Sequence, residues 1–431
     1  MSFFVTLVLI FMLFARPQDW IYGLWALHPF DIVGIAATFV LVYKLIQMSQ
    51  AKSRSRPWDN PQFVFALLFW GAVVGAYAAQ FFFKEILRTL PLLYKVTLPS
   101  LLLVVTVTSR KRMRVAVYML LGTLTLLGIH CYMQRFLGAG LGNRPPEYAA
   151  GLIRVKAFGI FAGPNETGIL MGAGLVICIG LARRFWPRIH FSLLFLGMVV
   201  FFAFGLWFTH SRQSMVAIAG ALYVMFMPKK LRWSWVAGLL GILLLAGAMK
   251  AAPRWSGFGQ DESVRKRALL ITKGLRLARD HAIFGVGHGR SWEKMRNRFD
   301  KREVDRSLHN SYLEVLIDNG LVGLTAYTGL FLCSILQLMY GMRCKGETAG
   351  EREDVAYARM ILGLLAVVGI GAYFQNRSYH IDTFVYLGLA GALSWRFFKS
   401  YTDKVPGYFQ SSWYFKKWGA VVLLGATAGV V

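Results

Sequence analysis

Runs of apolar residues, each about as long as a bilayer is thick, recur along this chain and dominate what it can fold into. Crossing about 30 Å of hydrocarbon takes roughly 20 mostly apolar residues in a helix. Twelve candidates lie near 1–15, 30–46, 62–80, 91–107, 115–130, 165–182, 191–208, 213–227, 234–250, 321–340, 357–375 and 382–398. Of 431 residues, 56% are apolar and only 16% charged, with a mean hydropathy of +0.49. A soluble fold would need more polar groups to cover its surface. No basic residue precedes Arg16 and no small-residue cleavage site follows, so the first run reads as a span, not a cleaved signal peptide. Cys131, Cys178, Cys333 and Cys344 show no CxxC or CxxH spacing, so neither a disulfide framework nor a zinc site is expected. The expected fold is an all-α polytopic membrane protein with about twelve transmembrane helices.

Lys and Arg number 48 against 21 Asp and Glu, a net charge of +27. In a chain that mostly faces lipid, this excess points to membrane orientation or anionic substrates rather than to nucleic acid. Basic clusters recur at alternate connections: Lys52/Arg54/Arg56, Arg110–Arg114, Arg183/Arg184/Arg188, Lys229/Lys230/Arg232, Arg343/Lys345/Arg352 and Arg396/Lys399. By the positive-inside rule these ends are cytoplasmic, and so are both termini, although Arg16 alone argues the other way. The expected organisation is about nine helices in 1–250, an outer loop in 251–320, three helices in 321–398 and a cytoplasmic tail in 399–431. That tail is basic and aromatic (Tyr401, Tyr408, Trp413, Lys416, Lys417) and suits an inner-leaflet surface. The outer loop is itself basic, with fifteen Lys/Arg against seven Asp/Glu between Lys250 and Arg306. Orientation gives no reason for that charge, whereas an anionic ligand would.

Within the loop, Val264, Ala268, Ile271, Leu275, Ala278 and Ala282 trace one apolar helical face, and Arg265, Thr272, Arg276 and Arg279 one polar stripe. The arginines either snorkel to lipid headgroups or grip a phosphate, for which a rigid guanidinium fork is suited. Gly285, Gly287 and Gly289 lack the strand and GK[ST] of a phosphate loop and read as a flexible turn. Ser311 with Glu314 reads as a capping box starting a short helix beside His309, and Asn319-Gly320 as its stop. His309 thus sits at the outer mouth of the bundle, where a structural role competes with a catalytic one. At the same face, Thr209-His-Ser-Arg212 forms a tight reversal. Asn165 reads as an N-cap with Glu166 in the first turn. Arg154 and Lys156 add charge there, while Arg377, His380 and Asp382 read as an interfacial anchor. Neither Asp-x-Asp nor HExxH occurs, so no metal and no cofactor are expected.

The stretch His309-Asn-Ser-Tyr-Leu-x₆-Gly320-Leu-Val-Gly323 after one long outer loop resembles the O-antigen ligase family. So do the Ser211-Arg212 turn, Gly163-Pro-Asn-Glu166, and Ser263-Val-Arg265 followed by Asp280-His-x₂-Phe-Gly-Val-Gly287. The resemblance spans roughly residues 150–325. It implies a metal-independent glycosyltransferase of the bacterial inner membrane with its site on a periplasmic loop. Such an enzyme moves a glycan from undecaprenyl diphosphate to the lipid A-core of lipopolysaccharide, with membrane lipids as its other partners. The family's essential His maps onto His309 and its essential Arg residues onto Arg212 and Arg265, with Arg276 or Arg279 as alternatives for the latter. His309 would then be the general base, the arginines would hold the leaving diphosphate, and a single displacement would invert the anomeric carbon. Arg276, Arg279, Arg154, Asn165, Asn310 and Tyr312 are the expected substrate-binding residues. An O-antigen polymerase and a protein O-oligosaccharyltransferase would use the same donor. A secondary transporter is the rival of a different class, but corresponding Gly/Pro-broken helices are not evident.

Overall fold

A computed structural model describes residues 1–50, 60–149, 151–184, 189–227, 262–299, 308–343 and 348–401. The apolar runs become α1 (Ser2–Ala15), α2 (Pro29–Gln50), α3 (Pro61–Ala79), α4 (Phe83–Thr106), α5 (Arg110–Leu137), α6 (Pro164–Arg184), α7 (Ile189–Phe208) and α8 (Arg212–Phe226). Then follow α9 (Glu262–Asp280), α10 (Ser291–Arg298), α11 (Ser311–Arg343), α12 (Ala349–Phe374) and α13 (Ile381–Tyr401). Eleven of the twelve expected spans fall on these helices, and the run 234–250 and the tail beyond 401 lie outside the described residues. Among the described residues nine helices are long and apolar enough to cross a membrane, while α8 is shorter. The protein is a predominantly helical, multi-pass membrane protein. One small departure from an all-helical chain is the antiparallel hairpin β1 (Glu147–Ala149) and β2 (Leu152–Arg154).

Local chemistry sets several helix ends. The Asn60 side chain accepts from the Gln62 N–H, with Pro61 at the first helical position of α3. Ser109 caps α5 in the same way, and α12 opens on a reciprocal capping box between Thr348 and Glu351. Position in the bundle follows from which residues meet lipid. On α2, Ile32, Ile35 and Phe39 are exposed, and on α7 so are Leu193, Leu196 and Val200; these two helices form its rim. By contrast α13 is buried on every side, from Phe384 through Tyr386, Leu389 and Leu393 to Phe397, as an all-round apolar helix should be in a bundle interior.

A second, smaller core lies where the polar connection meets the bundle. Leu270, Leu277 and Ala278 of α9 pack with Val286, Met295, Leu308, Leu313 and Ile317. The buried face of α9 therefore runs through positions 270, 273, 274, 277 and 278, which share one side of a helix. This corrects the expected apolar face, because Leu275 is 51% exposed. Lys273 takes a buried position instead, with its ammonium 5.2 Å from the centre of the Phe299 ring. Thr272, Arg276 and Arg279 are exposed, as the polar stripe requires.

The glycine turn after α9 is clasped, not loose. Val286 N–H donates to Ile317 O and Gly287 N–H to Asp318 O, each at 2.9 Å, and Leu321 N–H donates to Ala282 O at 2.8 Å. The Asp318 carboxylate accepts from the Gly289 and Ser291 N–H groups at 2.7 and 2.9 Å, and Tyr77 Oη donates to His288 O at 2.6 Å. Main chain meets main chain because no Cβ intervenes. A Cβ on Gly320, whose φ is +65°, would lie 2.0 Å from Ile283 O, and that residue breaks α11. Gly289 has a similar φ, +71°, but open space around it. Gly289→Ala should cost only the left-handed strain, about 1–3 kcal/mol. Gly320→Ala adds the backbone collision and should lower the melting temperature in detergent by clearly more; equal losses would refute the clasp.

Candidate active site

Three polar helix starts come together at one end of the bundle. Helices α6 and α8 begin there, packed on each other and on α12, whose C-terminal end meets the start of α11. Ser214 Oγ of α8 donates to Asn165 O of α6 at 3.0 Å, and Ser311 Oγ of α11 donates to Gln375 O at 2.6 Å. This brings Arg212, the first residue of α8, and His309, two residues before α11, to the same end.

The two polar turns share one local design. His210 and His309 both hold left-handed backbone, with φ of 49° and 50°. Such conformations cost a non-glycine residue free energy and cluster at functional sites. Each precedes the residue that caps the next helix. Ser211 Oγ accepts from Ser214 N–H at 3.4 Å, and Asn310 Oδ1 accepts from Leu313 N–H at 3.0 Å. The cap of α11 is therefore Asn310, not Ser311. Ser311 is engaged elsewhere, accepting from Arg377 N–H at 2.5 Å, and Glu314 accepts from Ser378 Oγ at 2.8 Å instead of closing a capping box. His309 and Arg212 are both half-buried.

Arg154 ties the hairpin to both neighbouring elements. Its guanidinium donates to Thr209 O at 3.2 Å, Glu147 Oε1 at 2.8 Å and Asn165 Oδ1 at 3.2 Å. Asn165 lies inside the first turn of α6, not at its cap, and its side chain serves Arg154. Tyr312 Oη donates to Gly369 O at 2.9 Å, so Asn310, Tyr312, Arg154 and Asn165 all have structural partners. Arg276 and Arg279 lie on the exposed face of α9, and the side chain of Arg265 lies outside the described residues.

The turn between α12 and α13 holds what the sequence reading missed. Arg377 and Asp382 form an ion pair with both side chains 0% exposed, so this is a buried clamp, not an interfacial anchor. Arg377 also donates to Gln375 Oε1 at 3.0 Å, and Ser378 Oγ donates to Ser311 O at 3.2 Å. Tyr379 Oη accepts from Asn319 Nδ2 at 2.8 Å, while its ring meets His288 edge-on with centres 3.9 Å apart. His380 packs its ring against Phe161, beside the start of α6. Burial pushes the His288 imidazole down to about 4, and burial followed by the Arg377 charge holds His380 well below the usual imidazole range. Both rings are neutral at neutral pH.

Fold and site together define a multi-pass membrane protein whose polar residues gather on helix starts at one end of a bundle. Residues 203–328 match the family model described as O-antigen ligase, and this supports assigning the chain to that family. The match supports a membrane glycosyltransferase-like ligase of glycan processing that works on lipid-linked glycans and a lipid acceptor. It takes in Arg212, Arg265, His309 and the glycine clasp, while Arg154, Asn165 and Arg377 fall outside it. No curated protein matches the chain.

Removing one partner of a buried ion pair costs about 3–5 kcal/mol, whereas an apolar replacement of both is often neutral. Asp382→Asn should therefore unfold at a clearly lower temperature than Arg377→Met/Asp382→Leu; the reverse order would refute the clamp. A His with a lowered folded pKa contributes stability that is complete above the unfolded value of about 6.5 and is lost as pH falls toward the folded value. For His288 that window runs from about 6.5 down to about 4. His288→Gln should flatten the fall of melting temperature across it.

Proposed function

We propose that the chain transfers a glycan from a lipid diphosphate, undecaprenyl diphosphate being the expected carrier, to the lipid A-core of lipopolysaccharide. The observation that carries this reading is the convergence of His309 and Arg212, each on a strained helix entry, at one end of a bundle whose intervening loop matches an O-antigen ligase model. An acceptor hydroxyl must lose a proton as it attacks the anomeric carbon. His309 serves as the general base, since an imidazole can take up and return a proton within the reaction. Negative charge grows on the departing diphosphate. Arg212 and Arg265 hold it, helped at Arg212 by the partial positive charge of the α8 N-terminus. One base and no carboxylate nucleophile mean a single displacement with inversion.

Arg154 and Asn165 position the Arg212 turn in this scheme through Thr209 and Ser214, and Asn310 and Tyr312 position His309. The exposed Arg276 and Arg279 meet phosphates of donor or acceptor at the membrane surface. By the basic-loop rule this end faces the periplasm and both termini the cytoplasm.

His309→Ala should abolish transfer from lipid-linked glycan to purified lipid A-core while leaving melting temperature and monodispersity close to wild type. Since a general base contributes about 10²–10⁴-fold, retention of more than a tenth of the rate would sink the role. Arg212→Lys should cut the rate strongly, because an ammonium cannot make the bidentate phosphate contact. Offering a second lipid-linked glycan or a pilin-like protein as acceptor tests the polymerase and protein-glycosylation readings directly.

A further inference from the structure

At the end of the bundle opposite His309 lies a cavity of about 420 Å³, formed where α6 and α8 finish and α12 begins. Four arginines line it, Arg183, Arg184, Arg352 and Arg359, against the single carboxylate of Glu353. That carboxylate is already committed. It takes two hydrogen bonds from Arg114 at 2.6 and 2.5 Å and pairs with Arg184 at 3.0 Å. Arg184 further donates to Tyr357 Oη at 2.6 Å. Arg183 lies over the Phe226 ring at 5.4 Å, and its charge opposes that of Arg359. Among the described residues no carboxylate pairs with Arg183, Arg352 or Arg359.

Orientation in the membrane needs basic residues in loops, but it does not need them gathered around a cavity. Arg352 and Arg359 are moreover inside α12, seven residues apart and so on one face. The carboxylates beside Arg352 at the start of α12 are engaged elsewhere, Glu351 in the capping box and Glu353 with Arg114 and Arg184. A volume of this size is in the range of small-ligand sites, and guanidinium forks match phosphate oxygens.

We infer that this cavity binds a phosphate-bearing anion, supplied either by an acidic phospholipid headgroup of the adjoining leaflet or by a soluble phosphorylated molecule. The site is separate from the proposed transfer chemistry, and its test does not use glycan transfer. Delipidated full-length protein in neutral detergent is titrated with phosphatidylglycerol, phosphatidylcholine and inorganic pyrophosphate, following thermal unfolding. Phosphatidylglycerol should stabilise well above phosphatidylcholine, and Arg183→Gln/Arg359→Gln should weaken that effect by about tenfold for each guanidinium removed. The single exposed-site variant Arg352→Gln gives the same readout if the double variant does not fold. Stabilisation by phosphatidylglycerol alone identifies a lipid headgroup, and stabilisation by pyrophosphate identifies a soluble anion. The inference is overturned if neither phosphatidylglycerol nor pyrophosphate stabilises beyond phosphatidylcholine, or if folded variants respond as wild type does.

Discussion

One guanidinium and one carboxylate withdrawn from solvent hold the polar end of this bundle together. Each ion of the Arg377–Asp382 pair would cost several kcal/mol to bury alone, so the pair must stay closed and the turn that carries it must keep one shape. The turn reaches outward from there. Its main chain engages Ser311 at the start of α11, Ser378 holds Glu314, Tyr379 meets Asn319 and His288, and His380 meets Phe161. The backbone around His309, the glycine clasp and the entry to α6 thus share one buried electrostatic anchor.

The basic excess of the chain divides into groups with different tasks. At the far end, Arg110 and Arg396 converge on Asp354, and Arg114 and Arg184 on Glu353, tying α5, α6 and α13 to the first turns of α12. Those arginines join helices as well as marking a side of the membrane. Toward the opposite end lie the exposed arginines of α9 and Arg212 at the entry of α8. What composition presents as one number is a set of local arrangements, each tied to particular carboxylates, rings or helix ends.

Much of the architecture is legible from the chain because bilayer thickness imposes a length on every span, and apolar runs keep that length. The polar stripe through Thr272, Arg276 and Arg279 is legible for a similar reason, since helical period alone orders it. Long-range choices are not. Hydropathy places Leu275 inside, whereas packing on Leu308, Leu313 and Ile317 selects Gly274, where a Cβ would already touch those side chains at about 3 Å. Ser311 and Asn310 are equally good caps by residue type, and the choice falls to Gln375 and Arg377, more than sixty residues away. Charges near a membrane surface ordinarily seek water, so Arg377 and Asp382 read as an anchor until their mutual contact is seen. Topology alone puts His309 and Arg212 on one face, but their pairing there is legible only through family resemblance, because two separate helices must pack on α12 to produce it.

The clasp between residues 282–289 and 317–322 is made mostly of peptide groups, with Asp318 and a pair of glycines as its main side-chain requirements. Peptide groups are common to every residue but proline. Exposed positions of the adjoining segment are therefore open to exchange without unfastening it. A helix entry held in this way can keep its geometry through sequence drift while the surrounding surface changes.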